Sequence, residues 1–247
     1  MEIAVIIQAR MGSSRLPGKS LKKIGPDYLI EKLIKRLSLS SRVTKIIFAV
    51  PDKPMDDPLA QVLSNNKVLF YRGSEDDVLD RYYQAARVFK ADTVIRVTGD
   101  CPLIDPGIVD GIIGFYLEAD GAYDYVSNSV TRSYPRGFDC EVFSFSVLEE
   151  IWEKADKPHE REHVTPYIYQ HPDAFRIYHR VAPESLFRPD YRICVDTLED
   201  LSLVDKIFDH FNGRNDMNAK EIVDLLDSRP DLVGINSHIV QKTLTGK

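Results

Sequence analysis

Near its start the chain reads VIIQARMGSSRLPGKSL, residues 5–21. A short apolar strand runs directly into Arg10, Arg15 and Lys19, with Gly12 and Gly18 between them and hydroxyls at Ser13 and Ser14. Glycines let a backbone approach a ligand closely, and amides at a turn or helix start attract anions. Arg15 and Lys19 can add charge-assisted bonds to phosphate oxygens. The pattern is neither the P-loop nor GxGxxG, because five residues, not four, separate Gly12 from Gly18-Lys19-Ser20. Composition alone fits a phosphate-holding loop and a surface loop with incidental charge equally well.

Asp100 follows the buried-looking run of RVTGD, and Asp196 follows that of RICVD. Each carboxylate is expected to project from a strand end toward one edge. Taken singly, Asp196 reads as a cap for TLEDL, as Asp105 does for the helix opening at Pro106. Taken together beside a polyphosphate loop, Asp100 and Asp196 are the hard oxygen ligands that Mg²⁺ accepts alongside substrate phosphates. YPRGFDCEVF sets Arg136, Asp139 and Glu141 around Gly137. That loop could read hydroxyls or a carboxylate on an acceptor, or be a charged hairpin. HEREHVTPYIYQHP holds His159, Glu160 and His163, but it is not HExxH, so no zinc is assigned. No GxSxG elbow supports a serine triad.

The elements that must position these residues follow from periodicity. Val5–Ile7 begins a strand, a helix covers about 28–39, KIIFAV (45–50) is a buried strand, and a helix lies near 55–65. KVLFYRG is the next strand. SEDDVLDRYYQAARVF opens a helix at Ser74, DTVIRV (92–97) is a strand, and a helix covers 107–119. This alternation implies a doubly wound, mostly parallel α/β sheet flanked by helices. Ligands bind such sheets beyond the carboxyl ends of the strands, where the opening loop, the RGS loop and TGDCP all fall. Residues 120–190 break the pattern and read as a small β/α elaboration of one domain, 1–228, forming an acceptor pocket and a dimer surface. FRIYHRV and YRICVD read as strands. Residues 229–247 read as a loosely held tail.

The chain has 247 residues and a formal net charge of −6, which argues against nucleic acid as a partner. Residues 1–50 nonetheless hold ten Lys/Arg against three Asp/Glu, pointing to a local anionic ligand. Lys22, Lys23, Lys32, Lys35 and Arg36 are mostly expected on a solvated helix face. No apolar run reaches membrane-span length and no signal-peptide layout opens the chain, so a cytoplasmic enzyme is expected. Three cysteines, an odd count without CxxC, argue against a disulfide framework or a zinc site. Cys101, Cys140 and Cys194 each lie within two residues of Asp100, Asp139 or Asp196 and are expected to be small buried thiols. Alkylation of Cys101 or Cys140 is nonetheless expected to inhibit.

The segments IIQARMGSSRLPGK, RGSEDDVLDRY, RVTGDCPLIDP, PRGFDCEVF, EREHVTPYI and VDTLEDL together resemble the cytidylyltransferase superfamily of sugar-acid activators. Within it they resemble most the spore coat polysaccharide biosynthesis protein F family. The resemblance implies a GT-A-like, Rossmann-type fold that transfers a nucleotidyl group from CTP to an acidic sugar with release of pyrophosphate. It implies Mg²⁺ on Asp100 and Asp196, with Asp100, Arg15 and Lys19 catalytic. Arg10, Gly12 and Ser13 match the triphosphate loop. Gln8 and Ala9 would lie near base and ribose, and Arg72, Gly73 and Ser74 near the base. Arg136, Asp139, Glu160 and His163 are the acceptor candidates. A homodimer is a further expectation.

Overall fold

The computed structural model describes residues 1–241. In chain order its elements are β1 (Ile3–Gln8), β2 (Lys23–Ile24), β3 (Asp27–Tyr28), α1 (Leu29–Leu37), β4 (Lys45–Pro51), α2 (Asp57–Asn65), β5 (Leu69–Gly73), α3 (Val78–Val88), β6 (Thr93–Thr98) and α4 (Pro106–Glu118). There follow β7 (Tyr125–Ser127), β8 (Glu141–Ser144), α5 (Phe145–Lys154), α6 (Pro158–His163), α7 (Pro166–Gln170), β9 (Ile177–His179), α8 (Leu198–His210), α9 (Ala219–Ser228) and α10 (Pro230–Val233).

Seven strands pair in the order β5-β4-β1-β6-β8-β7-β9, and four of the six pairings are parallel. Both faces of β1 are buried because its residues alternate between two cores. Ile3, Val5 and Ile7 face the core under α1, α2 and α4, while Ala4 and Ile6 face the core under α3 and α5. The chain runs outward from β1 through β4 to β5, then returns on the other side of β1 as β6. The sheet therefore reverses its winding between β1 and β6, the place where open α/β sheets leave a crevice for ligands.

Several expectations need correcting. YRICVD forms no strand of the sheet. It makes a single parallel bridge in which Arg136 N–H donates to Tyr191 O and Ile193 N–H donates to Arg136 O, both at 2.8 Å. Ser74 does not cap α3. Asp77 does, accepting from Asp80 N–H at 2.9 Å. Lys32 and Arg36 are buried and not solvated. Lys32 pairs with Asp27 at 3.2 Å, and Arg36 Nε donates to Ile104 O at 2.7 Å. Their long apolar stems cross the core and their charged heads find oxygens at its far side. The segment after residue 229 is packed, with Leu232 and Asn236 buried. Residues 242–247, the rest of the expected tail, lie outside the described residues.

Two features lock the segment that carries Asp196. Gly137 adopts φ 119°, and a Cβ there would lie 2.9 Å from both Cys194 N and Ile193 C. Only glycine allows that conformation and approach. Arg192 is buried and forks onto Asp200, with Nε at 2.9 Å and Nη2 at 3.1 Å. Asp200 is itself fully buried and accepts from the backbone of Asp196 and Thr197 and from Asn236 Nδ2 at 2.7 Å. Burial raises the Asp200 pKa, but the hydrogen bonds from Arg192 and Asn236 outweigh it and hold the carboxyl below its usual range.

Gly137→Ala is expected to cost about 1–3 kcal/mol of stability, the scale of a strained backbone position, measured by denaturant unfolding. Asp200→Asn removes the buried counter-charge on which Arg192 forks, leaving it only Asp196, and is expected to cost about 3 kcal/mol at neutral pH. A lowered folded pKa means that Asp200 stabilises fully above its unfolded value near about 4 and ceases to as pH falls through the lower folded value. The difference in melting temperature between wild type and Asp200→Asn should accordingly shrink in acid. A gap that is constant with pH would contradict the assignment.

Candidate active site

The opening loop leaves β1 at the switch point and folds back on itself. Met11 O accepts from Ser13 N–H and Gly18 N–H, each at 2.9 Å, while Met11 N–H donates to the buried Asp56 at 2.7 Å. Ser20 Oγ donates to Arg10 O at 3.2 Å, and Leu16 is buried in the main core. The loop is a tied structure, which favours the phosphate-holding alternative over incidental surface charge. Gly18 sits in the left-handed region at φ 68° and swings the chain into the turn that bears Lys19.

Asp100 reaches the same point from β6. Gly99 N–H donates to Gln8 O at 3.1 Å, and a Cβ at Gly99 would sit 2.6 Å from that carbonyl. Asp196 arrives on the locked segment 191–196, whose Val195 N–H donates to Asp100 O at 2.8 Å. Lys19 closes the group. Its Nζ lies 3.1 Å from Asp100 Oδ2, 2.8 Å from Asp196 Oδ1 and 3.1 Å from Val195 O. Asp196 Oδ2 also meets Arg15 Nη2 at 2.8 Å and Arg192 Nη2 at 2.6 Å. Burial opposes the charge on Lys19 and on Asp100, but their mutual attraction outweighs it. The Lys19 pKa is raised and the Asp100 pKa is lowered, so both are charged.

The structure thus brings Arg15, Lys19, Asp100 and Asp196 to one point. Gln8 ends β1 beside them, with a buried Oε1 that has no partner among the described residues. Ala9 is buried behind it. Arg10 lies on the other flank, 3.7 Å from Glu75, and Glu75 lies 3.3 Å from where a Cβ on Gly12 would be. Arg10, Glu75, Asp76, Asp77, Asp156 and Arg161 line a cavity of about 480 Å³ there. Ser13 Oγ accepts from Leu16 N–H at 3.3 Å, stiffening the loop.

Other expected site residues have structural work. Arg72 spends its guanidinium on Asp57 at 2.7 Å and on the carbonyls of Pro51 and Lys53. Gly73 fits under Tyr71 and Arg81, and Ser74 accepts from Asp77 N–H at 3.2 Å. Glu160 is fully buried and caps α6, accepting from Lys157 N–H at 3.2 Å and Lys157 Nζ at 3.0 Å. His163 is half-buried at the end of α6. Asp139 is paired with Arg132. Glu141 is a strand residue that pairs with Arg96 at 2.5 Å and accepts from Tyr125 Oη at 2.9 Å. Arg136 differs from all of these. Its guanidinium is half-buried and has no hydrogen bond or ion pair with any described residue. Burial, then the nearby charge of Arg132, lowers its pKa.

Cys101, Cys140 and Cys194 are buried as expected, and burial pushes all three thiols up. A buried neutral thiol reacts slowly, so the expected inhibition by alkylation is corrected. The sequence reading missed Arg192, Asp200 and Asn236. The Thr197–Asp200 capping box was the one local signal for them.

Known proteins share the sequence and the fold of this chain. A family profile described as cytidylyltransferase matches residues 4–225. The spore coat polysaccharide biosynthesis protein SpsF of Bacillus subtilis is 35% identical over 235 residues, 93% of this chain and 96% of that protein. A 3-deoxy-manno-octulosonate cytidylyltransferase of Trichlorobacter lovleyi is 31% identical over 121 residues, 49% of this chain and 47% of that enzyme. The solved structure of a cytidylyltransferase from Leptospira borgpetersenii superposes with a TM-score of 0.91 at 28% identity, covering 98% of this chain and 100% of that one. The architecture is a mixed α/β, Rossmann-like nucleotidyltransferase fold, and no described helix is long and apolar enough to cross a membrane. The chain belongs to the cytidylyltransferase family.

Proposed function

We propose that this cytidylyltransferase transfers CMP from CTP to an acidic sugar used in surface polysaccharide, with release of pyrophosphate. One observation carries the reading. Two cations of a tied glycine loop, Arg15 and Lys19, meet two carboxylates, Asp100 and Asp196, at the switch point of the sheet. A triphosphate and a divalent ion need that combination side by side.

The donor set fits Mg²⁺. Both carboxylates and the Val195 carbonyl already converge on a single cationic nitrogen. Among the described residues no group of three or more His, Cys, Asp or Glu gathers for a metal. The remaining ligands would be phosphate and water oxygens, the common manner of holding Mg²⁺. When bound, Mg²⁺ supplies Lewis-acid neutralisation of charge on the α-phosphate oxygens.

The residues of the chain do the rest by positioning and electrostatics. The acceptor oxygen attacks the α-phosphorus in line, and the bond to the bridging oxygen breaks as pyrophosphate departs. Arg15 and Lys19 balance the charge that collects on the leaving group. Gln8 Oε1 offers an unmet acceptor to a ribose hydroxyl or base amine, and Arg10 and Glu75 border the nucleotide side. Arg136 supplies the acceptor subsite. The backbone of segment 191–196 hydrogen-bonds the backbone of Arg136 at one end and of Asp100 at the other, and the Arg136 guanidinium has no partner among the described residues. A guanidinium fork suits a sugar carboxylate. The GT-A arrangement, a cytoplasmic location and a homodimer belong to the same proposal.

Pyrophosphate release with Mg²⁺, each of the four nucleoside triphosphates and a panel of acidic sugars tests it. Release is expected with CTP and one sugar acid. Release from every triphosphate alike, or from none, would count against it. Asp100→Ala is expected to lower kcat/KM about a thousandfold, a loss of several kcal/mol of charge stabilisation. Arg136→Gln is expected to raise the acceptor KM about tenfold or more while leaving the CTP KM unchanged, the scale of one charged hydrogen bond. An Arg136→Gln enzyme with unaltered acceptor KM would remove Arg136 from the subsite.

A further inference from the structure

We propose that Lys19 is a resident cation in the seat of the divalent ion, so that Lys19 and the metal exclude each other and a polyphosphate, by taking Lys19, admits the metal. This rests on the metal reading of Asp100 and Asp196 given above.

Three oxygens from three residues converge on Lys19 Nζ at 2.8–3.1 Å. Mg²⁺ and related ions take their oxygens at about 2.1 Å. An ion at that distance from both carboxylates would lie against the ammonium, and two positive centres cannot share the seat. The cations around Asp196 also divide into two kinds. Arg192 belongs to the scaffold, buried and forked onto Asp200. Arg15 and Lys19 belong to the loop, and Lys19 reaches the carboxylates on a flexible four-carbon stem just after Gly18. The loop cations can change partner while Arg192 stays and keeps Asp196 compensated.

The consequence is a coupling. Metal alone must displace an ammonium from three oxygens. Polyphosphate alone must draw that ammonium off and leave Asp100 uncompensated. Together each removes the penalty on the other, and linkage makes the effect reciprocal. Nucleotide and metal are therefore taken up together, and neither is held well alone.

The test uses the full chain with Mn²⁺ as the only added ligand, free Mn²⁺ being counted by electron paramagnetic resonance. Wild type is expected to bind it weakly. Lys19→Met is expected to bind it at least tenfold more tightly, and Lys19→Met/Asp100→Asn to return to weak binding. Lys19→Arg, which keeps a cation in the seat, should bind as weakly as wild type. Melting curves without metal confirm that each variant is folded. In a second arm, inorganic tripolyphosphate is titrated into metal-free protein, and Lys19→Met is expected to lose at least tenfold in affinity. A Lys19→Met protein within twofold of wild type for Mn²⁺, or for tripolyphosphate, overturns the proposal. So does a gain in Mn²⁺ affinity that survives Asp100→Asn. No nucleoside enters either arm, so the outcome is separable from the CTP reading. An active CTP enzyme with unchanged Lys19→Met affinities sinks the lysine seat alone. The expected shifts in a chain that fails to turn over CTP support the seat while that reading falls.

Discussion

Everything at this site depends on balancing two carboxylates that face one point. Asp100 and Asp196 reach it from segments far apart in sequence, and ionised carboxylates so placed repel each other. Lys19 stands between them, with Arg15 and Arg192 on the outer oxygen of Asp196. Take those cations away and one carboxylate would have to take up a proton or turn aside. The same balance is useful chemically. On the proposed reading, a site that keeps two acids charged with borrowed cations exchanges those cations for a metal and hands them to phosphate.

The backbone places this point with little freedom. The sheet changes winding between β1 and β6, the place where such sheets leave a crevice at the carboxyl ends of the strands. Gly99 lets β6 pass within contact of Gln8 O, and Gly137 lets its own loop lie against residues 193–194. Val195 N–H then ties the far segment to Asp100 O. Each close approach excludes a side chain, which makes glycine a requirement of distance as much as of dihedral angle.

The cations have different duties because of where they are anchored. Arg192, held by Asp200 and Asn236, is buried in a satisfied network and acts as a fixed counter-charge. Lys32 and Arg36 are equally buried but pin α1 to the distant loops at 213–215, and contribute nothing at the switch point. Arg136 alone among the expected acceptor residues has a side chain without a partner among the described residues, although its backbone is held on both sides. A guanidinium that is partly desolvated and unpaired is ready for an external anion, and its neighbours Arg132 and Asp139 satisfy each other.

The sequence by itself determined the alternating α/β order, the parallel strands, and the loop from Arg10 to Lys19, because hydrophobic period, glycine placement and local charge are properties of neighbours along the chain. It also marked Asp100 and Asp196, since each follows an apolar run. Only the tertiary structure decided that Lys19 stands between those two acids and that Arg192, Asp200 and Asn236 hold Asp196 from behind, contacts that span up to 177 residues. It alone turned Glu160 inward to cap α6, committed Arg72 to Asp57, and buried Lys32 and Arg36 where charge had suggested a solvated face. A charged residue looks the same in sequence whether it meets water, a carbonyl or a substrate. Which of these it meets depends on how distant segments pack, and period and composition carry no record of that.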